Sequence, residues 1–248
     1  MKQKEKVFIV TGAGGGMGNE VVSTLLSEGA IVVGIDISLE GMAHITHNNF
    51  RQEEVNLLDS NRIKEVFKQI FETYGKIDGL VNLAGIAQSS TPIEDVSLDF
   101  WNKIIGINAT SIFLTCKEAV SYMKKQEGGA IINVGSVSVA RPRPGLQSYI
   151  ATKGAVEAFS RALAIEVAQD KIRVNVLHPG PAETQMLVQF PSEKDQENGL
   201  TLDDFKMSVP LGELIKPTDI AEAISYLLSD GAKMVTGTTL HVDGGRSL

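Results

Sequence analysis

The chain has 248 residues, 43% of them hydrophobic and 21% charged, proportions that exclude a disordered or collagen-like chain and fit one cored α/β domain. Its 23 Lys and Arg against 30 Asp and Glu give a formal net charge of −7, without the basic footprint of a nucleic-acid binder or a ligand of anionic membranes. Cys116, the lone cysteine, excludes an internal disulfide, fits a reducing compartment and reads as a small buried apolar residue. No apolar run reaches the roughly 18 residues of a membrane span, and no signal peptide is recognisable, so a cytoplasmic protein is expected.

In chain order, Val7-Phe8-Ile9-Val10 is a β-branched and aromatic run that reads as a strand buried on both faces. Helical spacing follows over 17–28 through Met17, Val21, Leu25 and Leu26, stopped by Gly29. The same grammar predicts strands at 30–35, 54–57, 79–83, 130–135, 173–177 and 238–242. Between them it predicts helices at 61–74, 98–125, 149–168 and 220–228. Strands alternating with helices call for right-handed parallel crossovers, hence a three-layer, doubly wound parallel sheet in a single domain over 1–248. The polar segment 191–199, inside the stretch from Gln185 to Met207, reads as a surface insertion or a loop over the substrate.

Gly12-Ala13-Gly14-Gly15-Gly16-Met17-Gly18 joins the first strand to the first helix. There, backbone N–H groups and a helix N-terminus present partial positive charge to a pyrophosphate, and side chains would obstruct it. A strict GxGxxG does not fit, whereas TGxxxGxG fits Thr11, Gly12, Gly16 and Gly18. A glycine-rich turn can also be a tight structural turn; the nucleotide is the favoured reading, and the strand-turn-helix setting strengthens it. Asp36 ends the second strand, where a carboxylate accepts from the ribose diol of an adenosine and repels a 2′-phosphate. NAD is therefore expected over NADP.

Tyr149 and Lys153 are four apart at the start of a helix and share a face. A tyrosine is a poor base near neutral pH, and a neighbouring ammonium favours its phenolate, which can exchange a proton with an alcohol or carbonyl oxygen. Such a pair is by itself commonly a solvated helix face. Ser136 follows the predicted strand 130–135, and its hydroxyl could hold a substrate oxygen opposite Tyr149. Gly12, Asp36 and Ser136 all fall at carboxyl ends of strands, where the crevice of such sheets lies.

TGxxxGxG at Thr11, Asn82-Leu83-Ala84-Gly85, Asn108, Ser136, Tyr149-x-x-x-Lys153 and Pro179-Gly180 occur in one order between Val7 and Gly245. That set resembles the short-chain dehydrogenase/reductase family, in its single-domain Rossmann-fold branch. The resemblance implies that Tyr149 is the general acid/base and that Ser136 orients the reacting oxygen. Lys153 would bind the nicotinamide ribose and lower the Tyr149 pKa, and Asn108 would hold a water linking Lys153 to solvent. Gly12, Gly16, Met17 and Gly18 would cradle the pyrophosphate. Asn82, Ala84 and Gly85 would run beside the adenosine ribose, Asn56 and Leu57 would edge the adenine, and Pro179, Gly180 and Thr184 would flank the nicotinamide carboxamide. Asn56 stands where the family commonly has Asp.

The expected activity is hydride transfer between NAD(H) and a small secondary alcohol or ketone. The alternatives are an NADPH-dependent 3-oxoacyl-[acyl-carrier-protein] reductase and a catalytically inactive dinucleotide-sensing protein. Met186, Leu187, Val188 and Phe190 are expected to wall the pocket; Arg141 or Arg143 is a candidate partner for an anionic substrate, against the plainer reading of solvated arginines. The alanine-rich helix 149–168 is apolar over so much of its surface that a monomer would expose it, and the resemblance implies a homodimer or homotetramer built on this helix and 98–125. His44, His47, His178 and His241 are scattered in sequence, and no metal site is expected.

Overall fold

The structure is a computed structural model, and it describes residues 3–191 and 201–248. Seven strands form one parallel sheet: β1 (Val7–Thr11), β2 (Ile31–Asp36), β3 (Phe50–Glu54), β4 (Gly79–Asn82), β5 (Gly129–Val134), β6 (Ile172–Pro179) and β7 (Thr239–Val242). Their order is β3-β2-β1-β4-β5-β6-β7. The chain thus winds outward from β1 in one direction, returns, and winds outward from β4 in the other, which leaves a crevice above the β1/β4 junction.

Among the described residues seven α-helices flank the sheet: α1 (Gly16–Ser27), α2 (Ser60–Tyr74), α3 (Leu98–Ile105), α4 (Ser111–Met123), α5 (Gln147–Glu166), α6 (Leu202–Met207) and α7 (Pro217–Leu228). Alternate residues of each strand feed opposite faces. Phe8 and Val10 pack with Val21, Leu25, Ile220 and Ile224 under α1 and α7. Val7 and Ile9 pack with Ile63, Phe67, Ile112 and Val156 under α2, α4 and α5. Both faces of the sheet are covered by apolar layers, which is why the inner strands read as continuous apolar runs.

Two expectations change. The strand foreseen at 54–57 lies at Phe50–Glu54. It is the sheet edge, pairing with β2 alone, so it carries Arg51, Gln52, Glu53 and Glu54 instead of an apolar run, while Val55 already belongs to the turn that follows. The long helix foreseen at 98–125 is interrupted by a π-helical turn at Gly106–Thr110, which separates α3 from α4 and carries the buried Asn108. Such turns recur at functional sites because they re-aim one side chain without ending the helix. Other boundaries agree within a few residues.

Candidate active site

Gly12 leaves β1 with φ +68°, and a Cβ there would stand 2.6 Å from the Ala84 nitrogen. A Cβ on Gly18 would overlap the Gly12 carbonyl oxygen. These two glycines are demanded by the chain's own backbone. Gly16 is different: its nearest neighbour for a Cβ is Thr184 Cγ2 at 3.5 Å, so its missing side chain serves open space. That space is a cleft of about 710 Å³ lined by Gly12, Gly14, Gly16, Met17, Gly18 and Asp36, within the range of small-molecule sites. The N-terminus of α1 has no side-chain cap and no acidic residue in its first turn, so its amides face the cleft uncompensated. A dinucleotide pyrophosphate fits this cradle on both counts.

Asp36 lies at the rim, and its Oδ2 accepts from the Gly14 N–H at 2.9 Å, tying the end of β2 to the glycine turn. Asn19 braces the turn from behind, donating to the carbonyls of Ala13 (2.6 Å) and Gly41 (3.1 Å). Asn56, Leu57, Ala84 and Gly85 also line the cleft. The Asn56 Oδ1 accepts from the Leu58 N–H at 3.0 Å, so that oxygen already serves its own turn.

Asn82 is not in the cleft wall. Its side chain is buried in a polar ladder across the sheet: Thr11 Oγ1 donates to Asn82 Oδ1 (3.3 Å), Thr115 Oγ1 donates to the same oxygen (2.9 Å), and Asn82 Nδ2 donates to Asn133 Oδ1 (2.8 Å). Asn133 Nδ2 continues to Ser160 Oγ on α5 at 2.9 Å. Cys116 lies beside this ladder; burial pushes its thiol up to about 12, so it is an inert thiol.

The cleft runs on into a smaller pocket of about 80 Å³, lined among others by Ser136, Tyr149, Lys153, Pro179, Gly180 and Thr184. Met17, Gly85, Ile86, Thr184 and Met186 border both spaces. Ser136 stands just past β5, its Oγ accepting from the Ser138 N–H at 3.2 Å and hydrogen-bonded to Tyr149. Lys153 Nζ donates to the Val134 carbonyl at 2.9 Å and lies 5.8 Å from the Tyr149 ring centre. Both side chains are buried.

The electrostatics differ from the sequence expectation. Burial raises the Tyr149 pKa above its ordinary value, opposed by the Ser136 hydrogen bond and the charge of Arg143 rather than by Lys153. Burial lowers Lys153 to about 8, so this amine carries less positive charge near neutrality than a solvated lysine. Asn108 is also committed: its Oδ1 accepts from Ile86 N (2.8 Å), and its Nδ2 donates to Ile86 O (3.0 Å) and Thr152 Oγ1 (3.3 Å). It anchors the strand-end loop at Gly85 against α5. A Cβ on Gly85 would lie 3.2 Å from Asn108 Oδ1 and 3.6 Å from Lys153 Nζ.

Met186, Leu187 and Phe190 wall the pocket, whereas Val188 is 55% exposed and does not. The part of the expected substrate loop at 192–200 lies outside the described residues. Arg143 lines the pocket; Arg141 is exposed and donates to the Arg246 carbonyl at 3.1 Å. Three contributors were not foreseen. Phe205 of α6 and Arg246 of the C-terminal tail line the pocket, and Gln88 Oε1 accepts from the Tyr149 N–H at 2.9 Å, fixing the first turn of α5. A glutamine three residues past the Leu83-Ala84-Gly85 turn was a possible signal for the last; nothing local signals the other two.

His178 and His241, scattered in sequence, are register partners on β6 and β7, and their rings stack with centroids 5.1 Å apart. Burial, with His241 and Lys153 nearby, holds His178 down to about 4, so it is neutral. Among the described residues no group of three His, Cys, Asp or Glu could hold a metal ion, and no helix is long and apolar enough to cross a membrane.

A nucleotide cradle and a tyrosine-lysine-serine pocket on one Rossmann sheet define a class of dinucleotide-linked oxidoreductase, and comparison with known proteins agrees. The family model described as enoyl-(acyl carrier protein) reductase matches residues 12–247. A 3-oxoacyl-[acyl-carrier-protein] reductase of Thermotoga maritima is 35% identical over 99% of both chains. A 2,3-dihydro-2,3-dihydroxybenzoate dehydrogenase of Bacillus subtilis is 34% identical over 98% of this chain and 96% of its own. The crystal structure of a 3-ketoacyl-(acyl-carrier-protein) reductase from Brucella melitensis complexed with NADH superposes with a TM-score of 0.91, at 34% identity, covering 99% of this chain and all of that one. The chain belongs to the short-chain dehydrogenase/reductase family.

Proposed function

We propose that this oxidoreductase interconverts a small secondary alcohol and its ketone with NAD(H), using Tyr149 as general acid/base. The observation that carries the reading is the continuity of the two spaces: the cleft over the glycine turn opens into the pocket that holds Ser136, Tyr149 and Lys153. Bound there, the nicotinamide dinucleotide supplies or accepts the hydride. The first-turn amides of α1 bind the pyrophosphate, with Gly12, Gly16, Met17 and Gly18 keeping the approach clear. Asp36 accepts from the adenosine ribose with the oxygen lone pairs that the Gly14 and Ile37 N–H groups leave unused, and its charge disfavours a 2′-phosphate. Ala84 and Gly85 pass beside that ribose, with Asn82 supporting them from within the sheet. Asn56 and Leu57 edge the adenine, and Pro179, Gly180 and Thr184 flank the carboxamide.

Ser136 orients the reacting oxygen and Tyr149 gives or takes its proton. Lys153, fixed by Val134, holds the nicotinamide ribose one helical turn from Tyr149, and Asn108 positions both by locking the Gly85 loop to α5. Met186, Leu187 and Phe190, from the substrate loop of about 185–207, exclude water from the pocket. The active species is a homodimer or homotetramer built on α4 and α5, whose outer faces leave Phe113 and the 82%-exposed Ile165 uncovered.

The test is a panel of secondary alcohols and ketones followed at the NADH absorbance. Tyr149→Phe is expected to lower turnover by about 10²–10⁴-fold with the fold retained by circular dichroism. Unchanged turnover in that variant would restore the reading of a dinucleotide-sensing protein. The second reading, an NADPH-dependent 3-oxoacyl-[acyl-carrier-protein] reductase, is favoured by the names of the relatives. NADPH turning over a 3-oxoacyl thioester faster than NADH does would establish it.

A further inference from the structure

Tyr149 stands where a helix secures its backbone least. It is the third residue of α5, where N–H groups have no acceptor within the helix, and Leu146 at the N-cap supplies no side-chain oxygen. An uncapped first turn frays, and a side chain borne on it shares that freedom. The acceptor comes from 61 residues upstream: Gln88 Oε1 takes the Tyr149 N–H at 2.9 Å, and both residues are buried.

The carbonyl of Tyr149 is held as well. Thr152 Oγ1 donates to it at 2.7 Å and accepts from Asn108 Nδ2 at 3.3 Å, while Asn108 grips both backbone groups of Ile86 at 2.8 and 3.0 Å. Ile86 lies two residues before Gln88, so these bonds close a ring that fixes the N–H and the C=O of Tyr149 to one short strip of chain beyond β4. The same strip holds the wall that faces the phenol. The Ser90 N–H donates to the Phe190 carbonyl at 2.9 Å, and the Phe190 ring stands edge-on to the Tyr149 ring with centres 5.1 Å apart.

Glutamine suits this place chemically. Its Nε2 has no partner among the described residues, so the oxygen alone is used. A carboxylate would accept the same N–H and be favoured by the helix N-terminus, but its charge would keep the neighbouring phenol protonated. That phenol is already biased by the Ser136 hydroxyl and the charge of Arg143, with Lys153 one turn along α5 and Arg246 in the same pocket lining. A neutral acceptor leaves this balance intact.

We propose that Gln88 is a positioning residue for the reaction: it caps α5 from outside the helix and so aims the Tyr149 phenol at the oxygen held by Ser136. This rests on the oxidoreductase reading above. Gln88 lines neither the pocket nor the cleft, so its effect falls on the chemical step rather than on binding.

The experiment compares Gln88→Met, which keeps the volume and removes the acceptor, with Gln88→Glu, which keeps an acceptor oxygen and adds charge, in the full chain with an alcohol or ketone that the parent turns over. Gln88→Met is expected to lower kcat by about 10- to 100-fold, with KM and the affinity for NADH, read by nucleotide fluorescence, at parental values. Gln88→Glu is expected to regain most of that turnover, and the inflection of its kcat–pH profile that reports Tyr149 to move to higher pH by about half a unit or more. Parental kcat in Gln88→Met overturns the proposal, as does a loss matched by an equal loss of NADH affinity. If Gln88→Met does not fold, the Gln88→Glu profile decides: a displaced inflection supports the proposal and an unmoved one overturns it. Absence of turnover by the parent with every alcohol and ketone would refute the oxidoreductase reading instead. Amide hydrogen exchange at Tyr149 then reads the cap: exchange faster by about tenfold or more in Gln88→Met and not in Gln88→Glu supports it, and equal rates overturn it.

Discussion

Lys153 is both a functional group and a structural burden, and replacing it with methionine separates the two. The displacement of its pKa from 10.5 to about 8, caused by burial, corresponds to about 3 kcal/mol at 1.36 kcal/mol per pH unit. The sign follows from proton binding. Between pH 8 and 10.5 the unfolded chain holds a proton that the folded chain has released, so stability rises with pH; below pH 8 both are charged and the whole cost is present. Methionine fills similar volume without a charge, at the expense of the 2.9 Å bond to the Val134 carbonyl, worth about 1 kcal/mol. Lys153→Met is therefore expected to be more stable than the parent at pH 7 by about 2 kcal/mol, or roughly 4–8 °C in Tm. Thermal and urea melts of the ligand-free protein at pH 7 and pH 9.5 test this, with the advantage shrinking at the higher pH. A variant less stable at pH 7, or an advantage independent of pH, would refute the reasoning.

Three other outcomes are expected. Asp36→Asn keeps an acceptor for Gly14 but removes the charge, and the NADPH-to-NADH ratio of kcat/KM should rise by about tenfold or more. Asn82→Ala strips the buried Thr115 and Asn133 groups of a partner and should cost about 3 kcal/mol in urea denaturation while leaving the cleft lining in place. His178, held down to about 4, is neutral when folded and takes up a proton more readily when unfolded. Stability should therefore fall as pH drops from 6.5 towards 4, by up to about 3 kcal/mol, and the fall should be smaller in His178→Leu by the same melts.

What was legible in the sequence is what short-range pattern records. Val7 to Val10 and Ala130 to Val134 are buried on both faces, so they read as strands without knowledge of their neighbours. The glycines of the first turn, Asp36, Ser136, Tyr149 and Lys153 stand at strand ends or one helical turn apart, and topology alone gathers them. Less legible were features fixed by pairing across the fold. Edge strand β3 lacks the apolar run because one of its sides has no partner. The π-helical turn at Asn108 falls inside a continuous helical pattern. Arg246 and Phe205 reach the pocket only because the tail and α6 fold back upon it, and the Tyr149 pKa answers to burial that no spacing of four residues reveals.

The polar ladder from Thr11 through Asn82 and Asn133 to Ser160 joins β1, β4, β5 and α5 by side-chain bonds set in a row across the parallel register. It cross-ties the base of the nucleotide-binding half to the helix that bears Tyr149 and Lys153. A protein fastened this way has no seam beneath its crevice along which two lobes could swing apart. Any breathing that admits or releases ligands must be confined to the crown of loops above the strand tips, and the floor on which the chemistry is aligned stays rigid throughout the cycle.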